Sequence, residues 1–136
     1  MASSFKVEIF TPTGKYFSGE SEFLSVTSSV AVLGILPDHA PLITTLEICK
    51  LTIKMHNKDF DYAISGGVMH IKNDHSVILL VDSIERSDEI DLNRAKLSQK
   101  RAEERLSRAN KDEIDVKRAE ASLSRALNRI SVYKNN

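Results

Sequence analysis

The sequence predicts an α+β chain, mainly β in its N-terminal part: an antiparallel β-sandwich over residues 1–86, then an antiparallel αα-hairpin over residues 87–136. Three observations carry that reading. Before about residue 82, short apolar–polar alternations recur between turn signals, which is the period of two that half-buried strands require. After Ser87 the apolar residues step by three and four, the period of a helix seam. Every Gly, Pro and His, and seven of the eight aromatic residues, precede that change of period. The boundary therefore falls near Ser83–Asp88.

Phe5, Val7 and Ile9 alternate with Lys6 and Glu8 and predict the first strand. Thr11-Pro12-Thr13-Gly14 follows as a turn, with Pro and Gly suited to their backbone roles. Phe23 to Thr27 and Val30 to Leu36 give two more strands. Leu51, Ile53 and Met55 alternate with Thr52, Lys54 and His56, and Asn57-Lys58-Asp59 turns the chain back into Phe60–Ile64. Asn73-Asp74 is a tight-turn signal between Val68–Ile71 and Val77–Val81. Short strands with frequent turns indicate a sandwich or barrel of antiparallel strands.

In the last third, Leu92, Ala95, Gln99, Ala102, Leu106 and Ala109 form one seam, and Val116, Ala119, Leu123, Ala126, Ile130 and Tyr133 form another. Asp88 and Asp91 bring negative charge to the first helix's N-terminus, where the helix dipole favours it. Asn110 and Glu113 have the spacing of a reciprocal cap for the second helix. The two helices, of roughly 20 residues each, form an αα-hairpin. Five Arg-Ala pairs run through it at heptad spacing: Arg94-Ala95, Arg101-Ala102 and Arg108-Ala109, then Arg118-Ala119 and Arg125-Ala126. Residues seven apart share a helix face, so an alanine stripe lies beside an arginine stripe. Alanine allows close helix approach; arginine offers a planar fork for carboxylate or phosphate. A seam this rich in alanine buries little apolar area, at under about 1 kcal/mol per methyl-sized contact. Such a hairpin is marginal alone and is expected to dock on the sandwich or on a partner.

Lys and Arg number 19, as do Asp and Glu. A net charge of zero argues against bulk attraction to nucleic acid or anionic lipid. The balance differs along the chain, with seven basic against ten acidic residues before Ser87 and twelve against nine after it. A single cysteine, Cys49, excludes an internal disulfide and fits a reducing compartment, and its alternating neighbours make it a small buried hydrophobe. No apolar run approaches the length of a membrane span, so the chain reads as soluble, held at any membrane by another protein.

No catalytic set is present, and enzyme activity is not expected. His39, His56, His70 and His75 lack metal-ligand spacing, and His56 and His75 sit beside turns as solvated residues. Ser65-Gly66-Gly67 lacks the lysine and helix of a phosphate loop and reads as a bulge or close backbone approach. In Gly34-Ile35-Leu36-Pro37-Asp38-His39-Ala40-Pro41-Leu42, two prolines stiffen an apolar loop and present His39 and Leu42. That loop is either a stiff sandwich corner or a partner contact. Around Ile90-Asp91-Leu92-Asn93-Arg94-Ala95, Asp91 and Arg94 are neighbours on one turn. They form either a capped helix start or, with Arg118, Arg125 and Arg129 of the second helix, a cradle for a polyanion such as a nucleoside triphosphate.

At these motifs the chain resembles the epsilon-subunit family of bacterial F-type ATP synthases, nearly end to end. The carriers are Thr11-Pro12-x-Gly14, Leu33-Gly34-Ile35-Leu36-Pro37-x-His39-x-Pro41-Leu42, Ser65-Gly66-Gly67, Lys117-Arg118-Ala119-Glu120 and Arg125-Ala126-Leu127-Asn128-Arg129. The family commonly has an acidic residue where Val32 stands, and Gly or Asn where Asp38 stands. The resemblance implies a non-catalytic central-stalk subunit of a proton- or sodium-translocating synthase, peripheral on the cytoplasmic face of the bacterial plasma membrane. Its sandwich would bind the gamma subunit and the c-subunit ring, with His39, Pro41 and Leu42 at the rotor contact. Its hairpin would move between a compact state and an extended one that reaches the catalytic alpha and beta subunits and blocks ATP hydrolysis. No nucleic-acid partner and no direct membrane insertion are implied. The family carries no resident cofactor, but some members bind regulatory ATP through Ile or Leu, Asp, two variable residues, Arg and Ala. Ile90, Asp91, Arg94 and Ala95 match that motif, Glu85 precedes it in register, and Arg118, Arg125 and Arg129 match its basic positions. The alternative is a purely structural rotor-coupling module with a constitutive hairpin and no nucleotide switch.

Overall fold

A computed structural model describes residues 3–108 and 113–133. The chain divides into two compact units, Met1–Arg86 and Ser87–Asn136. The first contains β1 (Phe5–Thr11), β2 (Gly14–Ser21), β3 (Phe23–Thr27), β4 (Val32–Ile35), β5 (Leu42–Met55), β6 (Lys58–Ile71), β7 (Val77–Val81) and β8 (Ile84–Arg86). Neighbouring strands run in the order β2-β1-β7-β6-β5-β3-β4, with β8 also on β6. The β5–β6 hairpin is shared by two layers. Its Leu42–Leu46 and Gly67–Ile71 ends carry β7, β1 and β2, while its other half carries β3, β4 and β8.

Alternation turns one face of each layer inward. Val7, Ile9, Met69, Ile71, Val77 and Leu79 from one layer meet Leu24, Val26, Ile35, Leu51, Ile53 and Ile64 from the other in a single buried cluster. Cys49 joins them as a small hydrophobe, as its neighbours predict. Its Sγ–H points to the Thr27 carbonyl at 3.8 Å, and burial pushes its thiol pKa up. The sandwich and hairpin expected from the two periods are present, with corrections inside the sheet. β1 and β7 pair in parallel, which alternation within each strand does not encode. β2 was not anticipated, because Gly14–Ser21 is polar and broken by Gly19. The strands expected at Leu51–Met55 and Phe60–Ile64 are parts of 14-residue strands. Their turn lies one residue earlier than Asn57-Lys58-Asp59. His56 and Asn57 take φ of 51° and 62°, and Met55 pairs with Lys58, giving the two-residue turn whose twist suits a hairpin.

Ser65-Gly66-Gly67 is a close backbone approach. Its pairing with β5 keeps one register throughout, so no bulge forms there. Gly66 and Gly67 have φ of 94° and 149°, values that favour glycine. The Asp82 N–H donates to the Gly66 carbonyl at 3.1 Å and the Ser65 N–H to the Ser83 carbonyl at 3.2 Å. These bonds carry the chain from β7 to β8 along one edge of β6.

The second unit contains α1 (Leu92–Arg108) and α2 (Glu113–Val132), packed on each other. Ala95, Ala102, Ala119 and Ala126 are buried, and Gln99, Leu106, Val116, Leu123 and Ile130 are half-buried. Alanine thus forms the seam. The expected cap from Asn110 to Glu113, and Ala109, lie outside the residues whose side chains are described. No helix among the described residues is long and apolar enough to cross a membrane.

Candidate partner-binding surfaces

An antiparallel sheet with a solvated outer face should read polar at its outward positions. Where β5, β6, β7 and β1 lie side by side, it does not. Thr45, Val68, Leu80 and Phe10 form one outward row, and Ile43, His70, Ile78 and Glu8 the next. Ile43 is 68 % exposed and Leu80 53 %. At the rim, the Lys15 ammonium lies 3.2 Å from Glu8, Lys6 lies 3.8 Å away, and the hydrogen bond from Lys15 holds the Glu8 carboxyl below the usual range. An apolar centre with a charged rim is the anatomy of a protein contact. The sequence carried a signal for it: Val77-Ile78-Leu79-Leu80-Val81 is apolar without a break, the pattern of a strand covered on both faces.

A second apolar feature projects from the turn between β3 and β4, where Val30 is 85 % exposed and Val32 72 %. This tip is held firmly. Buried Ser28 accepts at Oγ from the N–H groups of Val30 (3.2 Å) and Ala31 (3.1 Å), and its hydroxyl donates to the Ala31 carbonyl at 2.9 Å. The Ser29 N–H donates to the Thr45 carbonyl at 3.1 Å.

The proline loop is also stiff. The His39 N–H reaches the Leu36 carbonyl at 3.3 Å, with Pro37 at the second position and Asp38 at φ 66° in the third. This is a type II turn, which demands positive φ at that place and favours Gly or Asn. The His39 ring Nδ1–H donates to the Ala40 carbonyl at 2.7 Å. The His75 Nδ1–H donates to the His39 carbonyl at 3.0 Å, so His75, expected to be solvated, is a half-buried tether for the loop. Pro41 is exposed, and Leu42 packs partly on the core. Replacing Asp38 by Gly removes left-handed strain of about 1 kcal/mol and adds back chain entropy of similar size or less. We expect Asp38→Gly to raise stability by up to about 0.5 kcal/mol in urea unfolding, and Asp38→Val to lower it by about 1–2 kcal/mol.

In the helical unit, Ile90-Asp91-x-x-Arg94-Ala95 resolves residue by residue. Asp91 Oδ1 accepts from the Arg94 N–H at 3.0 Å, and the Asp91 carbonyl accepts from the Ala95 N–H at 3.0 Å, which makes Asp91 the N-cap. Ile90 and Ala95 are buried at the two positions of a hydrophobic staple. Arg94 gives the cap its backbone N–H, while its side chain is exposed and takes no part in it. Arg94, in the first turn of α1, and Arg125 and Arg129, in the last two turns of α2, share one end of the hairpin. The Arg125 Nη2–H donates to Ser122 Oγ at 3.3 Å. Glu85 lies in β8 opposite Ala63, within the sheet unit. Arg118 sits toward the other end of the hairpin, lining a cleft of about 340 Å³ with Arg105, Arg108, Asp115 and Val116.

The family model described as ATP synthase, Delta/Epsilon chain, beta-sandwich domain matches residues 4–87, and the long alpha-helix domain of the same chain matches residues 88–134. Among curated relatives, the ATP synthase epsilon chain of Desulforamulus reducens is 44 % identical over 107 residues, covering 79 % of this chain and 80 % of that one. That of Geotalea daltonii is 39 % identical over 110 residues, covering 81 % and 79 %. A chain in the Euglena gracilis mitochondrial ATP synthase structure (OSCP/F1/c-ring) has the same fold, with a TM-score of 0.78 at 17 % identity over 89 % of this chain and 76 % of that one. A chain of the Tetrahymena thermophila central stalk/c-ring structure gives 0.63 at 15 %, over 97 % and 98 %.

Proposed function

The chain belongs to the ATP synthase delta/epsilon chain family, and from that premise we propose that it is a non-catalytic central-stalk subunit, peripheral on the cytoplasmic face of a bacterial plasma membrane. The sheet unit docks on the gamma subunit and the ring of c subunits of a proton- or sodium-translocating synthase. The observation that carries this reading is the outward apolar face, with Ile43 and Leu80 exposed at its centre. The Val30–Val32 tip and the His39–Leu42 loop are the candidates for the ring contact. An apolar tip, where relatives commonly carry an acid, fits an uncharged surface on the ring.

The helical hairpin acts as a regulator of ATP hydrolysis. In its compact state Arg94, Arg125 and Arg129 gather around the phosphates of ATP at one end of the hairpin, while Asp91 holds the start of α1. A ligand bound by that state alone stabilises it by RT ln(1 + [L]/Kd), about 2.7 kcal/mol at a hundred times Kd. When ATP falls, the hairpin opens and its arginines meet acidic surface on the catalytic alpha and beta subunits. A second reading has an observation of its own: Ile90, Asp91 and Ala95 are fully occupied as staple, cap and seam, as a constitutive hairpin without a switch requires.

Calorimetric titration with ATP separates the two. The switch expects saturable binding in the wild type, weakened about tenfold or more in Arg94→Gln and in Arg125→Gln, since a charged hydrogen bond is worth about 1.5–3 kcal/mol. Equal ATP affinity in all three proteins, or none, leaves the constitutive hairpin.

A further inference from the structure

Two arginines in the last turn of α1, Arg105 and Arg108, complement the negative end of that helix's dipole. That accounts for their position on α1. It does not account for Arg118, which lies near the N-terminal end of α2, where the dipole offers a cation nothing. Yet Arg118 lines the same cleft of about 340 Å³ as Arg105 and Arg108, with Val116 as an apolar wall and Asp115 as the one carboxylate among the described residues. Among the described residues the lining holds three arginines and one aspartate, a net charge of about +2, with arginines contributed by both helices. Among the described residues neither Arg105 nor Arg118 has a carboxylate partner. Among the same residues Arg108 has the loose contact with Glu104 at 3.9 Å, both side chains at least half exposed. Three arginines lining one concavity repel each other, and a multivalent oxyanion turns that repulsion into a bridge.

We propose that this cleft is an anion site, distinct from the ATP cradle at the opposite end of the hairpin, that takes a chain of two or more phosphates. The anion comes either as free inorganic pyrophosphate or as the phosphate tail of a nucleotide. Because Arg105 and Arg108 belong to α1 and Arg118 to α2, the occupied site staples the two helices together and favours the closed hairpin over any opened one. Arg118 is then a ligand of this second site rather than an outlying member of the ATP cradle.

The test is thermal melting of the full chain, followed by its helical circular-dichroism signal at fixed ionic strength. Millimolar pyrophosphate is expected to raise the midpoint by on the order of 3 °C in the wild type and equally in Arg125→Gln. The rise is lost in Arg118→Gln and in Arg105→Gln, whose exposed positions and good helix-forming replacement keep the fold. ATP added to Arg125→Gln identifies the source: a rise that is lost when Arg118→Gln is combined with it shows that a nucleotide tail enters the cleft, and no such rise leaves the inorganic anion. Three results overturn the site. They are an equal rise with sodium chloride, a rise that persists in both Arg118→Gln and Arg105→Gln, and a rise lost in Arg125→Gln alone. Failure here leaves the ATP cradle untouched, since that rests on Arg94 and Arg125.

Discussion

Gly67→Ala is expected to destabilise the sheet unit by more than about 3 kcal/mol, against the 5–15 kcal/mol typical of a whole domain. A Cβ placed on Gly67 would stand 2.0 Å from the Leu80 carbonyl oxygen and 2.8 Å from the Val81 Cα. Both are backbone atoms of the neighbouring strand, so no side chain can swing aside. Relief requires β7 to part from β6 at the Gly67–Val81 pair, where both layers depend on continuous pairing. Gly14→Ala is the control. Gly14 also has a positive φ, 126°, but nothing lies within 4 Å of its would-be Cβ, so it reports backbone strain alone, about 1–3 kcal/mol. Urea unfolding of the two variants separates steric clash from strain. Equal losses at both positions would refute the close-approach account of Gly67.

That glycine pair shows which part of the fold short-range pattern can carry. A period-two reading identified Phe5–Ile9 and Val77–Val81, because each presents a clean inward face to one core. It could not place them side by side in parallel, since that pairing joins segments some 70 residues apart. It broke β6 at Ser65-Gly66-Gly67, where the low strand propensity of glycine is overridden by hydrogen bonds to Asp82 and Ser83. It passed over β2, whose outward positions are polar and whose partner is known only once β1 is in place. The helices were legible almost entirely, because a seam of alanines at heptad spacing has no other compact use.

The candidate sites divide in the same way. Ile90, Asp91 and Ala95 stand out in the sequence as a motif, and each has a local structural task that the spacing already permitted. Arg94 is what remains for a ligand. Arg118 reads in the sequence as an outer member of the same cradle, since it precedes a seam alanine one heptad before Arg125. The antiparallel course of the hairpin sets them toward opposite ends, one beside Arg105 and Arg108 and the other beside Arg94. The outward apolar face was written in the unbroken run Val77–Val81, but its width across four strands depends on β5, β6 and β1 lying alongside.

That width gives the second large expectation. The double substitution Ile43→Asp and Leu80→Asp is expected to abolish co-assembly with the gamma subunit while leaving the fold intact. Both side chains are more than half exposed, so the free chain loses little packing and gains solubility. In a docked complex each apolar side chain contributes about 1.5–3 kcal/mol on burial, and an unpaired carboxylate in its place adds a desolvation penalty. Together these amount to more than about 4 kcal/mol, or roughly a thousandfold in affinity. Co-purification of the variant with gamma, set beside its melting midpoint, reads binding and folding separately. Lys58→Asp, on the exposed turn of the other half of the sheet, should leave both unchanged. A double variant that still co-purifies at the wild-type level would move the docking surface off this face.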